Sequence, residues 1–193
     1  MAGSPPIDRR QQILDATVEI IATEGMLKAT NRRIAEQAGI PLGHITYYFK
    51  SKNELLLSTT ERINDVLDRS IVDIDQSAGL GRCLGSMVWA TWRWMQRDPD
   101  FQIAVIEMSI WYGRHGVAPA PDVYRRTLEY LTELALTCVA EREREGSRPQ
   151  LMQVVGLFIA SLDGLFIQQQ TNPDGDYEAA IAQVARTAEA AVG

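Results

Sequence analysis

The eight residues Ile34-Ala35-Glu36-Gln37-Ala38-Gly39-Ile40-Pro41 decide how this chain is read. Two helices that cross steeply need a small residue where their backbones meet, and Ala35 stands at that place. The turn between them needs a residue that tolerates positive φ four positions later, which Gly39 supplies. Ile34, Ile40 and Ile45 are then placed to anchor the two helices to each other and to a preceding one. This is helix-turn-helix spacing, in which the second helix is free to lie in a DNA major groove with its N-terminal half toward the bases. An ordinary helical hairpin uses the same Ala and Gly, so the surroundings have to decide between the two.

The flanking residues favour DNA. Thr30 is positioned to cap the first of the two helices, with Arg32 and Arg33 following it. Tyr47 and Tyr48 close the second, and Lys50 and Lys52 flank the start of the next. A helix N-terminus with free N–H groups and an adjacent lysine forms a phosphate clamp. Upstream, Asp8 caps a predicted helix with Gln11 as its reciprocal partner. That helix carries the stripe Ile13, Leu14, Ala16, Val18, Ile20 and Ile21 and ends at Gly25. Short helices are predicted over 31–38 and 42–48, and Ser51-Lys52-Asn53-Glu54 is a capping box opening a long helix to about Asp75. Cys83 to Met95 is apolar on nearly every side and is predicted buried all round. Further helices are predicted over 101–112, 122–145, 150–170 and 177–192, with breaks at Gly79 and Gly81, Asp98-Pro99, the Gly113–Pro121 loop, Gly146-Ser147 and Asn172-Pro173-Asp174-Gly175. No alternating strand pattern bounded by hairpin signals occurs. The expected fold is all-α with about nine helices: a three-helix helix-turn-helix domain over 1–54 and a larger helical domain over 55–193.

A chain of 193 residues can bury roughly 70% of the surface it exposes when unfolded, so it needs no staples. With 46% hydrophobic and 23% charged residues it is neither a disordered chain nor a collagen. Its two cysteines, Cys83 and Cys138, read as small buried hydrophobes in a reducing compartment. No signal peptide is visible at Met1–Pro6, and the longest apolar run, about Val154 to Ala160, is shorter than a membrane span. A cytoplasmic protein without a membrane partner is therefore expected. The net charge of −6, taken whole, argues against nucleic acid. Its distribution argues the reverse: residues 1–52 carry seven Lys and Arg against five Asp and Glu, the remainder twelve against twenty, and no lysine follows Lys52.

Gly25 through Leu56 resembles the DNA-binding domain of the TetR family of bacterial transcription repressors. The resemblance lies in Ile34-Ala35, Ala38-Gly39-Ile40, Gly43, Tyr48-Phe49 and Lys52-x-Glu54-Leu55-Leu56. Within it, Gly43-His44-Ile45-Thr46-Tyr47-Tyr48-Phe49 is more similar to the choline-responsive, BetI-like subgroup, which has Ser or Thr where Thr46 stands. Asp163-Gly164-Leu165 matches a short motif of that subgroup's C-terminal domain. Carried over by position, the resemblance implies that Leu42, Gly43 and Thr46 face base edges. His44, Tyr47 and Lys52 hold phosphates, and Thr30 and Arg33 fix the preceding helix on the backbone. Two departures stand out: position 42 is often basic or polar in the family but is Leu here, and position 41 is Pro rather than Ser. Leu42 cannot donate to guanine but can touch a thymine methyl, so shape readout is expected to contribute.

Residues 55–193 carry no catalytic arrangement: no His-Glu-x-x-His pair, no Walker loop, and a Gly79-Leu80-Gly81 spacing unsuited to a dinucleotide. The two histidines, His44 and His115, are far apart in sequence, so neither a metal nor a cofactor is expected. Trp89, Trp92, Trp94 and Trp111 fall in two successive helices with Met108 and Glu107 nearby. They form either a packed core or an effector pocket of rings and soft side chains, where Trp89, Trp92, Glu107, Met108 and Trp111 contact an unidentified small molecule. Glu107 among tryptophans suits a cation. In the last two helices Gly156, Ala160 and Gly164 permit close helix approach, and Ile181, Val184 and Ala188 line an apolar stripe. These pack internally or against a second chain, and the resemblance implies the latter, a two-fold homodimer on a palindromic double-stranded operator. The expected function is a ligand-responsive repressor. A small helical enzyme and a protein-interaction module using the aromatic cluster are the alternatives.

Overall fold

The structure is a computed structural model, and it describes residues 8–71, 74, 79–115 and 120–192. Among these the secondary structure is entirely helical: α1 (Arg9–Glu24), a 3₁₀ turn (Met26–Lys28), α2 (Asn31–Gln37), α3 (Leu42–Tyr48), α4 (Lys52–Ser70), α5 (Leu80–Arg97), α6 (Pro99–His115), α7 (Ala120–Leu136), a second 3₁₀ turn (Glu141–Glu143), α8 (Arg144–Thr171) and α9 (Tyr177–Ala190). The all-α expectation is met.

The chain divides into two compact units, one of residues 1–66 and 98–123, the other of residues 67–97 and 124–193. In the first unit α1 packs chiefly against α6 and against α2. Ile13, Leu14, Val18, Ile20 and Ile21 of α1 are buried with Ile34, Ile45, Phe49, Leu55, Leu56 and Ile63, and α6 adds Ala104, Val105, Met108 and Tyr112. Ile40, expected as an anchor, is half-buried. The Asp8 and Ser51 caps form as read. The Asp8 carboxylate accepts from Arg10 N and Gln11 N, and Ser51 Oγ accepts from Glu54 N. The Glu54 carboxylate reaches back one residue further than a capping box requires, to Lys50 N at 2.8 Å.

In the second unit α5 packs along α9 and, less extensively, against α8. Cys83, Leu84, Met87 and Val88 of α5 are wholly buried, as are Val155 and Leu162 of α8 and Ile181 of α9. Cys138 is half-buried in the turn after α7. Several boundaries differ from expectation. The Gly81 break is absent: α5 begins at Leu80 and runs through Gly81 and Gly85, because α9 lies against them. A Cβ on Gly81 would meet the Glu189 carbonyl at 3.1 Å, and one on Gly85 would meet the Glu189 carboxylate. The second break falls at Thr137–Ala140 rather than at Gly146-Ser147. There the N–H groups of Cys138 and Val139 turn to carbonyls three residues back, Ala135 and Leu136. Helix α8 then continues through Gly146, Ser147 and Pro149. Pro149 deprives only the Glu145 carbonyl, which lies in an exposed first turn open to solvent. Helix α4 ends at Ser70 rather than near Asp75.

Candidate nucleic-acid interface

Helix α3 owes its position to two side chains. Ile45, 1% exposed, and Phe49, 3% exposed, point into the first unit. Phe49 is roofed by the Arg10 guanidinium 5.4 Å from its ring centre, and Arg10 in turn donates to Ser58 Oγ at 2.7 Å. The turn before α3 closes as its sequence demands. Gly39 has φ +63°, its N–H donates to the Glu36 carbonyl, and Ile40 N donates to the Ala35 carbonyl at 3.0 Å. One further tie had no sequence signal: Gln12 Nε2 of α1 donates to the Ala38 carbonyl at 2.6 Å, holding the end of α2.

With Ile45 turned inward, helical geometry turns Gly43, His44, Thr46 and Tyr47 outward, and all four are exposed, as is Leu42 at the start of the helix. Tyr47 is 79% and Leu42 50% exposed, large values for apolar bodies on a small unit. A Cβ on Gly43 would meet nothing within 4 Å. Thr46 Oγ1 donates to the Gly43 carbonyl at 3.0 Å. Tyr47 packs edge-on to Tyr48 with ring centres 5.1 Å apart.

Thr30, Arg33 and Lys52 meet around the N-terminal end of α2. Thr30 Oγ1 accepts from Arg33 N at 3.2 Å. The Arg33 guanidinium is held by Glu24, with Nε at 2.9 Å and Nη2 at 2.6 Å from one carboxylate oxygen, and by Gln37 Oε1 at 3.1 Å. The hydrogen bond from Arg33 holds the Glu24 carboxyl below its usual range and raises the guanidinium in turn. Lys52 Nζ donates to the carbonyl of Ala29, the residue before the Thr30 cap. Burial pushes the Lys52 ammonium down to about 8.

The other sequence candidates fall on both units. In the first, Met108 is buried, Glu107 is exposed, and Trp111 is half-buried, stacked on His115 with ring centres 4.5 Å apart. In the second, Trp89 is half-buried, and Trp92 is buried and stacked on Tyr177 at 6.5 Å. Sequence reading missed buried polar atoms that have no hydrogen-bond partner among the described residues: Ser109 Oγ and the Tyr112 hydroxyl on α6 in the first unit, and separately Thr91 Oγ1 and Trp94 Nε1 on α5 in the second. Burial also pushes the Tyr112 hydroxyl up to about 12. Of the small and apolar residues of α8 and α9, Ile181 and Ala188 are buried within their own unit, and Val184 lines a groove of about 140 Å³ with Val154, Leu157 and Phe158. A Cβ on Gly156 would touch Leu128 of α7 at 3.8 Å. Ala160 is exposed and Gly164 half-buried, with Leu157 (65%) and Ile167 (48%) exposed beside them. The segment Glu141–Thr171 is long and apolar enough, by length and composition, to cross a membrane.

Residues 13–59 match the family model for bacterial regulatory proteins of the tetR family. The chain is 33% identical over 172 residues to the HTH-type transcriptional regulator BetI of Klebsiella pneumoniae, covering 86% of this chain and 84% of the relative. It is 28% identical over 170 residues to the HTH-type nicotine-responsive transcriptional repressor HdnoR of Paenarthrobacter nicotinovorans, covering 86% of each. Among solved structures it is similar in fold to the fatty acid degradation regulator FadR from Bacillus halodurans, with a TM-score of 0.71 at 20% identity over 96% of both chains.

Proposed function

The chain belongs to the TetR family of bacterial regulatory proteins, and we propose that it is a cytoplasmic, homodimeric repressor whose grip on a palindromic operator is changed by a small organic effector. It is a transcriptional regulator with a DNA-binding helix-turn-helix and not an enzyme. The observation that carries the finer reading is the outward face of α3. Leu42, Gly43, His44, Thr46 and Tyr47 stand free of the protein on a helix that Ile45 and Phe49 hold fast.

In this reading residues 1–54 bind DNA, with Leu42, Gly43 and Thr46 toward the bases and His44, Tyr47, Lys52, Thr30 and Arg33 toward the backbone. Residues 55–193 sense and dimerise. Within the first unit, the unpartnered Ser109 Oγ and Tyr112 hydroxyl of α6 support an effector, since a buried donor or acceptor without a partner costs about 1–3 kcal/mol and a bound polar molecule relieves that cost. Trp89 and Trp92 on α5, and Glu107, Met108 and Trp111 on α6, are the candidate contacts on each helix. The relative named as a nicotine-responsive repressor makes an organic amine a reasonable first probe. Binding shifts the population toward a state whose two heads no longer match successive grooves.

The test is binding of the purified protein to a fragment spanning its own promoter, measured against unrelated DNA over a range of salt. Selective, salt-steep binding is expected. Equal affinity for both fragments at every salt concentration refutes the operator reading.

A further inference from the structure

We propose that α3 selects its operator through thymine methyl groups rather than through hydrogen bonds to purines. The inference rests on the reading of α3 as the DNA-recognition helix and names what that helix recognises.

Each base pair shows the major groove a different edge. Guanine is read by a forked pair of donors from Arg or Lys, adenine by the bidentate amide of Asn or Gln, and thymine by an apolar group against its C5 methyl. None of Arg, Lys, Asn or Gln occurs between Leu42 and Tyr48. Arg33, the nearest guanidinium on the preceding helix, has both its Nε and its Nη2 on Glu24. The Thr46 hydroxyl gives its one proton to the Gly43 carbonyl, which leaves its oxygen as an acceptor and its methyl as the free part of the side chain. Leu42 offers only carbon, and half of its surface is exposed. Gly43 between them adds no side chain, with open space beyond its Cα, so the helix backbone can sit close to the base edges.

Leu42 and Thr46 are one helical turn apart, roughly 6 Å along the axis. Base pairs rise roughly 3.4 Å each, so the two side chains span two steps. Each half-site is therefore inferred to carry two thymines about two steps apart, one under Leu42 and one under Thr46. His44 and Tyr47, on the flanks of the same face, remain available for the backbone.

The experiment selects tight binders from a library of randomised 30-base-pair duplexes and then replaces each enriched thymine by deoxyuridine, which keeps the base pairing and removes only the methyl. At the position under Leu42, wild type is expected to lose about three- to fivefold in affinity per methyl removed. Leu42→Ala is expected to bind the thymine and uracil duplexes equally, with its melting temperature unchanged because the side chain is exposed. Enriched sites whose thymines tolerate uracil without loss overturn this inference and leave the operator reading standing. A library that yields no enriched sequence overturns both.

Discussion

Lys52 joins charge and burial at a proposed DNA contact. Its ammonium has three protons; one goes to the Ala29 carbonyl, and the other two are proposed for a phosphate. Burial has lowered its titration to about 8, and an adjacent phosphate raises it again in the complex. Binding therefore takes up a proton between about pH 8 and the higher value of the complex. The contribution of Lys52 is full below about pH 8 and declines above it, by at most tenfold per pH unit. Folding moves the other way: a lysine depressed from 10.5 to about 8 makes the folded state more stable as pH rises through that window, so the titration of Lys52 does not itself unfold the protein at pH 9. Anisotropy titrations at constant ionic strength are expected to show a loss of affinity between pH 8 and pH 9.5. Lys52→Arg is expected to flatten the profile, since a guanidinium does not titrate there. Lys52→Ala is expected to lower the salt slope by about one. A flat wild-type profile would remove Lys52 from the phosphate contacts.

At the scale of single helices, Gly43 separates what folding needs from what DNA needs. It lies inside α3 with open space beside it, so Gly43→Ala is expected to stabilise the free protein by up to about 1 kcal/mol through helix propensity. In the proposed complex the same methyl stands where the base edges approach, and operator affinity is expected to fall at least tenfold. Thermal melting and operator titration of one variant read both signs; an unaffected operator affinity would turn that face of α3 away from DNA. The elements around Gly43 were legible in sequence because their determinants are local. Asp8, Thr30 and Ser51 cap within three residues of themselves, and Gly39 takes its positive φ from the turn alone. The boundaries that were not legible depend on distant residues. Gly81 reads as a breaker until α9 is seen lying against it, and Gly146-Ser147 reads as a break until α8 is seen to run through both. The site shows the same division. The outward residues of α3 were implied by the family resemblance, whereas the grip of Glu24 on Arg33 and of Ala29 on Lys52 joins residues nine and 23 positions apart.

At the scale of the molecule, α8 has more apolar surface than one chain covers. Leu151, Val155, Phe158, Leu162 and Phe166 face the core of its own unit. Leu157, Ala160, Gly164 and Ile167 recur at intervals of three, four and three, and none of them is buried. Two apolar faces on one helix explain why the segment Glu141–Thr171 is long and apolar enough to cross a membrane. The second face, however, is narrow and flanked by the exposed Gln153, Gln168 and Gln170, as suits a seam against a second protein helix and not lipid on all sides. Ile181 and Ala188 are already buried within the unit, so the proposed contact rests on the α8 seam with Val184 beside it. A paired carboxylate at the seam tests this without touching the core: the double change Leu157→Glu and Ile167→Glu is expected to give a folded monomer by sedimentation, with helical signal unchanged. Linking two heads raises the effective concentration of the second into the millimolar range, so the monomer is expected to bind the operator about 100-fold more weakly or worse. The duplex supplies the control. Inserting five base pairs between half-sites puts them on opposite faces of the DNA, which is expected to abolish tight binding by wild type and leave the monomer unaffected. A double variant that sediments as a dimer removes the seam from the interface, and one that is monomeric yet binds the operator at full strength removes the paired heads from the mechanism.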